Sequence, residues 1–153
     1  METETIEIEP KLKELQELEK LVYNPDVKKT PAIGNKLKIM RIELEENYTR
    51  IDFVYNNGKY GWVQIEPCCF IRPVGTDMCL TLVKAQGIPL APQKRHFQNP
   101  NQIMYYTLYF PALPKGVAEI DIIEMESSTP GHNYFNFYGV SMEKVRTGII
   151  TVN

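Results

Sequence analysis

The residues best suited to chemistry in this 153-residue chain are its three cysteines and two histidines. A thiolate beside an imidazole can act as a nucleophile–base pair, and both side chains are common zinc ligands. Cys68 and Cys69 are neighbours in a predicted strand, so their side chains should point to opposite faces and cannot chelate one ion together. His96 and His132 lie in predicted loops, outside any recognised catalytic motif. The sequence therefore predicts no catalytic residue, no metal site and no cofactor, and a thiol-dependent enzyme is only a third hypothesis.

An odd number of cysteines is not a disulfide framework. One of the two neighbouring cysteines could approach Cys79 across a hairpin, which would leave the other reduced. The simpler prediction is three small, partly buried thiols.

A loop at residues 93–99 combines basic, aromatic and amide side chains in one short stretch. Lys94, Arg95 and His96 could hold an anion or an acidic group of a partner. The alternative is a solvated loop that Phe97 anchors to the core. The four residues are candidate binding residues under the first hypothesis and ordinary loop residues under the second.

Aromatic side chains are concentrated on two strongly predicted strands near the C-terminus. In a two-sheet fold one alternate set fills the core and the other faces outward. Outward tyrosines suit sugars and protein partners, because they bury a large area at low entropic cost. The alternative is that they pack under loops and under the N-terminal segment. Tyr105, Tyr109 and Tyr134 are the candidate binding residues of this group.

From residue 36 onward the apolar residues recur with a period of two, which is typical of half-buried strands. Glycine, proline and asparagine separate these runs as turns; residues 56–59 are expected to join a hairpin whose return strand is 60–65. The pattern predicts an all-β, immunoglobulin-like antiparallel sandwich of seven or more strands. The predicted strands are residues 36–44, 50–55, 60–65, 68–72, 78–84, 103–110, 117–124 and 134–142, with a short one at 147–152.

The segment before the sandwich has a different character. Residues 11–22 place leucines at helical spacing after Pro10, which suits the first turn of a helix, and residues 24–35 are predicted to be a linker. The domain organisation is thus an acidic segment at 1–35 and a β-sandwich domain at 36–153. The leucine stripe must be covered, either by its own domain or by a partner or second copy of the chain. The stripe consists of Leu12, Leu15, Leu18 and Leu21.

The overall composition limits the classes of partner. A formal net charge of −2 argues against a nucleic-acid binder with a broad basic face, and no apolar run is long enough to span a membrane. The first residues lack the basic start and apolar stretch of a signal peptide, which favours the cytoplasm.

Four spaced segments give the chain a family likeness, at residues 85–90, 109–116, 119–124 and 135–139. Their pattern, G-I-P-L … F-P-x-L-P-K-G … I-D-x-I-E … F-Y-G, resembles the immunoglobulin-like β-sandwich domains of unknown function of Bacteroidetes-type bacterial proteins. The resemblance covers about residues 36–142. It implies an accessory domain of exported proteins, to which no catalytic residues are attributed, and it favours the cell envelope if a leader was removed.

Together these observations predict a non-catalytic interaction module that binds protein. The alternative is a carbohydrate- or envelope-associated binding domain that uses the outward tyrosines.

Overall fold

The computed structural model describes residues 20–57, 61–127 and 133–143 of the chain. This part is all-β, with a single turn of 3-10 helix at Gly34–Lys36. No helix in it is long and apolar enough to cross a membrane. Its strands are β1 (Leu21–Tyr23), β2 (Val27–Lys29), β3 (Leu37–Leu44), β4 (Thr49–Asn57), β5 (Trp62–Val63), β6 (Phe70–Pro73), β7 (Leu80–Thr81), β8 (Lys84–Gln86), β9 (Arg95–His96), β10 (Gln102–Phe110), β11 (Glu119–Ile123) and β12 (Phe137–Ser141).

Two five-stranded antiparallel sheets account for most of the strands. The first sheet has the order β1-β3-β4-β10-β8, and the second has the order β2-β12-β11-β6-β7. The longest ladder joins β4 and β10, from Gln102 opposite Asn57 to Phe110 opposite Thr49. Strands β5 and β9 form a separate two-stranded ribbon.

Apolar side chains from both sheets form one core. Phe53 of β4 stacks on Tyr106 of β10, with ring centroids 4.7 Å apart. The Phe53 ring also lies 5.8 Å from that of Phe137, which belongs to β12 in the second sheet. All three residues are buried. The contact across the two sheets is consistent with a β-sandwich.

The same two stretches of chain form the outer strands of both sheets. Strand β1 lies at the edge of the first sheet, and β2 follows at the edge of the second after Asn24, which has a φ of 45°. On the other side, β7 borders the second sheet and β8 borders the first. Between them Leu82 donates to the carbonyl of Cys69, and Val83 donates to the carbonyl of Tyr109. We call residues 21–29 and 80–86 the switch segments.

The predicted N-terminal helix is wrong at the point where the described part of the chain begins. Leu21 and Val22, the last residues expected in it, lie in strand β1, and Val22 is fully buried. Burial beside a sheet edge favours the extended backbone at these positions over the helical pattern. The rest of that helix, with Leu12, Leu15 and Leu18, lies outside the described residues, as does the strand expected at 147–152. Strand β2 lies within the stretch expected to be a linker.

The hairpin expected around residues 56–59 is also wrong. Strand β4 has β3 on one side and β10 on the other, so both of its edges are occupied. The expected return strand is short, and it pairs with β9 instead, with Trp62 opposite His96. By contrast, the turn expected after Arg72 does join a pair of adjacent strands, because β6 pairs with β7.

Replacement of Phe137 by alanine tests how far the stability depends on contact between the sheets. We expect Phe137→Ala to lower the free energy of unfolding by about 3–5 kcal/mol, because the cavity would lie between the two sheets. Urea denaturation measures the change. The control is Tyr138→Ala, a change of the adjacent, half-buried residue, which should cost clearly less. Equal losses in the two variants would contradict the proposed importance of this contact.

Candidate functional site

The outer face of the first sheet carries two large, exposed apolar side chains of strand β10. Along β10 the residues alternate strictly, so that Met104 and Tyr106 are buried while Ile103 and Tyr105 are 55% and 63% exposed. The expectation that alternate tyrosines fill the core and face outward is confirmed for Tyr105 and Tyr106. Side chains this exposed contribute little to the stability of the isolated fold, and these two lie next to each other on one face of the strand, where contiguous exposed apolar area is informative.

Neighbouring strands extend this apolar area. Val54 of β4 is directly opposite Tyr105 in the ladder and is half-buried. On β3 the register shifts between Ile39 and Arg41, so Met40 has no partner on β4, and its side chain is exposed. Such a bulge changes the direction in which a side chain points. We call Met40, Val54, Ile103 and Tyr105 the apolar patch.

A polar network lies next to the apolar patch, centred on the carboxylate of Asp52. Arg41 donates from Nε to Oδ2 of Asp52 at 2.6 Å, and Arg50 donates from Nε to Oδ1 at 3.1 Å. The hydroxyl of Thr107 donates to the same Oδ1. Partial burial alone would raise the pKa of Asp52, but the hydrogen bonds from Thr107, Arg41 and Arg50 lower it overall. We call these four residues the Asp52 network; they hold two guanidinium groups in fixed positions.

Tyr109 lies beyond the Asp52 network, on the same face as Tyr105. Its hydroxyl donates to Oε1 of Gln86 at 3.1 Å. Its ring makes an edge-to-face contact with Tyr48 at 5.8 Å, and the guanidinium of Arg50 lies 5.8 Å from the ring centroid. The two candidate tyrosines therefore differ: Tyr105 projects into solvent, whereas Tyr109 is held by its neighbours.

A shallow depression of about 550 Å³ joins the apolar patch to the Asp52 network. Gly87 lies at its border with a φ of 81°, and a Cβ atom there would come within 2.8 Å of the carbonyl oxygen of Tyr105. Any other residue would be strained at this position and would push the backbone of β10 aside. The glycine therefore allows the chain to approach closely beside Tyr105.

The loop predicted as a binding element is partly built into the fold. Phe97 is buried, stacks on Tyr55 at 5.6 Å, and donates its backbone N–H to the carbonyl of Gly61. The amino group of Lys94 lies 4.1 Å from the ring centroid of Trp62. Phe97 thus anchors the loop, as the alternative hypothesis expected.

The rest of that loop is exposed. Arg95 and His96 form strand β9, and both side chains face solvent. Arg95 donates from Nη1 to the carbonyl of Gly87 at 3.4 Å, so β9 comes near the border of the depression.

Tyr134 is the third candidate tyrosine, and it is half-buried in the segment before β12. The next residue, Phe135, places its ring 5.8 Å from that of Tyr55. Tyr134 therefore belongs to the segment that leads into the second sheet, whereas Tyr105 and Tyr109 share the first.

A buried carboxylate fixes two loops near this segment. Glu124 accepts the backbone N–H of Glu66 at 3.0 Å and that of Phe135 at 2.8 Å, one at each oxygen. Burial raises its pKa to about 7, although both backbone hydrogen bonds act in the opposite direction. Asp121 makes a similar contact, since its Oδ1 accepts the backbone N–H of Gly139 at 2.9 Å.

The cysteines do not form a cluster. All three are free. Cys69 is buried, which raises the pKa of its thiol, whereas Cys68 and Cys79 are exposed. The pairing of Ile71 with Leu80 places Cys79 level with Arg72, several residues along the ladder from the other two. Among the described residues, no group of three or more histidine, cysteine or acidic side chains is placed to hold a metal ion.

The Asp52 network, Met40 and Ile103 were not predicted from the sequence. Charged residues that alternate with apolar ones in β3 and β4 were a usable signal, because a hairpin would bring Arg41 close to Asp52. The bulge at Met40 could not be predicted from the alternation of apolar and polar residues along β3. Ile103 was assigned to a strand, but its direction depends on which face of β10 is buried.

Comparisons of the chain with protein-family models, with curated proteins and with solved structures give no significant match. The candidate site is therefore defined by the geometry of the surface described above.

Glu124 makes stability depend on pH. Its pKa in the folded protein, about 7, exceeds the ordinary value of 4.5, so the folded form binds the proton more tightly than the unfolded chain does. Its stabilising contribution is complete below about pH 4.5 and is lost as the pH rises to about 7, by up to about 3 kcal/mol.

Urea denaturation between pH 4.5 and 8 checks this, with the comparison made against Glu124→Gln, whose amide does not ionise. The free energy of unfolding of the unmodified protein, taken relative to that of Glu124→Gln, should fall as the pH rises across this range. Glu126→Gln, a change of an exposed carboxylate, should follow the unmodified protein. A difference that is constant with pH would show that Glu124 titrates normally.

Proposed function

We propose that this chain is a non-catalytic interaction module that binds a protein through the outer face of its first sheet. The observation that carries the proposal is the exposure of Ile103 and Tyr105, each more than half accessible, next to the ordered Asp52 network. An apolar centre beside fixed polar groups is the usual anatomy of a protein interface.

The kinds of side chain favour a protein partner over a sugar. Ile103 and Met40 are aliphatic, and they offer no flat ring for stacking on a pyranose. Burial of one such side chain is worth about 1.5–3 kcal/mol. Tyr105 adds a large area with few rotatable bonds, and Arg41 and Arg50 offer a partner hydrogen-bond donors whose directions are already set.

We also propose that the fold is immunoglobulin-like and that the chain acts as an accessory domain like those of Bacteroidetes-type proteins. The support is the resemblance of its spaced motifs, together with two antiparallel sheets in contact through Phe53 and Phe137. In this proposal Lys94, Arg95 and His96 form a second, polar surface, since β9 is exposed.

Affinity capture from lysate of the source cell, followed by quantitative mass spectrometry, tests the interface. The baits are the unmodified chain, a double variant with Ile103→Thr and Tyr105→Ser, and a control with Val83→Ser. Val83 is 70% exposed and lies in a switch segment, so its change removes exposed apolar area elsewhere on the surface. Partners should be retained by the unmodified chain and the control but lost by the double variant.

A purified partner should then bind the double variant about tenfold or more weakly than the control by calorimetry, as expected when a buried tyrosine is lost. Partners retained equally by all three baits would contradict the assignment of this face.

A second candidate function is carbohydrate binding on the same face. It is favoured by the position of the Asp52 network between Tyr105 and Tyr109, because carboxylate and guanidinium groups beside aromatic rings suit sugar hydroxyls. On a glycan array, Tyr105→Ala and Tyr109→Ala should each abolish retention, whereas Tyr138→Ala in the second sheet should not. Unchanged retention in the first two variants would rule out this use of the surface.

A further inference from the structure

The outer face of the first sheet has a net charge opposite in sign to that of the chain. Its five strands contain six charged residues, and the ladder register places all six on the face that carries Tyr105 and Tyr109. They are the basic residues Lys38, Arg41, Arg50 and Lys84 and the acidic residues Glu43 and Asp52. This face therefore has a formal charge of +2, whereas the whole chain has −2.

Both acidic groups of this face are already paired within the fold. The carboxylate of Asp52 accepts hydrogen bonds at both of its oxygens, from the members of the Asp52 network. Oε1 of Glu43 lies 4.0 Å from Nη2 of Arg41, and its Oε2 accepts the hydroxyl of Tyr48 at 3.4 Å. The negative charges of this face are therefore occupied by its own donors.

The basic groups are less completely paired. Lys38 and Lys84 are exposed, and neither forms an ion pair with another described residue. Arg50 donates from Nε to Asp52, and within the described part of the chain its guanidinium makes no second hydrogen bond. Its side chain is 33% exposed, so a ligand can reach the two Nη groups. The planar guanidinium fork can bind a carboxylate through two parallel hydrogen bonds.

These basic groups lie on two sides of the exposed apolar side chains. Lys38 is opposite Val54, which is opposite Tyr105, so this lysine borders the apolar patch on the β3 side. Arg50 and Lys84 lie further along the sheet, in the row that crosses β4, β10 and β8. A complementary ligand must therefore offer an apolar group with negative charges on both sides of it.

Building on the function proposed above, we propose that the partner is a protein segment in which acidic side chains flank a large apolar one. The apolar residue packs on Ile103 and Tyr105, and a carboxylate pairs with Arg50. A second copy of the chain is disfavoured through the same face, because two positively charged surfaces would meet. A nucleic acid is disfavoured as well, since its affinity depends on many phosphate contacts and this face offers only four bases.

Selection from a random peptide library displayed on phage tests the chemistry of the partner. The library is first depleted on the double variant with Ile103→Thr and Tyr105→Ser, and the remaining phage are selected on the unmodified full-length chain. This order keeps peptides that need the apolar patch. The selected peptides should contain more aspartate and glutamate than the unselected library, next to a large apolar residue.

Charge variants then measure the electrostatic contribution with a selected peptide. Lys38→Gln with Lys84→Gln should weaken binding about threefold to tenfold, because two exposed charges that face the ligand are lost. The matched control, Lys29→Gln with Lys115→Gln, removes two exposed lysines outside this sheet and should keep the affinity. Arg50→Lys keeps the charge but loses the fork, and it should also weaken binding. Fluorescence anisotropy measures the affinities, and added salt should reduce the effect of the first double change.

The possible results distinguish the chemistry of the partner from the use of the surface. Patch-dependent peptides without acidic enrichment, or an affinity that Lys38→Gln with Lys84→Gln leaves unchanged, would overturn the acidic partner and leave the protein-binding face in place. If no selected peptide needs the apolar patch, the proposed function is overturned together with the acidic partner. A DNA oligonucleotide that displaces the peptides at a lower concentration than they themselves require would assign the face to a nucleic acid instead.

Discussion

The two-residue alternation of β10 is the constraint on which the rest of the structure depends. One face of this strand, from Met104 to Phe110, lies in the core, and the opposite face carries Ile103, Tyr105, Thr107 and Tyr109. A shift of one residue would exchange the two sets, so the buried face fixes the register with β4. That register places Thr107 beside Asp52 and Tyr105 beside Val54. The candidate surface is therefore the solvent-facing side of β10, and the opposite side of the same strand belongs to the core.

Buried polar groups determine how the loops meet this core. Asn136 accepts the backbone N–H groups of Glu124 and Met125 and donates to the carbonyl of Met125. Glu124 in turn holds the loops at Glu66 and Phe135. A buried backbone group without a partner is costly, so these two side chains replace the ladder where β11 ends. The loops near β12 are therefore held in place by specific side-chain acceptors.

Much of the fold could be predicted because alternation is a local property. The positions of β3, β4, β10 and β11 followed from it to within a few residues, and so did the opposite environments of Tyr105 and Tyr106. Partner choice could not be predicted, since nothing local in the sequence indicates that β5 pairs with β9 instead of β4. The Asp52 network was missed for the same reason: it joins β3, β4 and β10, and its geometry exists only after the strands are aligned.

The switch segments affect how this protein can meet others. At every edge of the two sheets, the outermost strand is only two or three residues long before the chain crosses to the opposite sheet or leaves it. An incoming strand from another molecule would find only two or three consecutive residues to pair with on each of these edge strands, and short edge strands disfavour edge-to-edge aggregation. Recognition by strand addition is disfavoured for the same reason, and side chains on a sheet face become the means of contact.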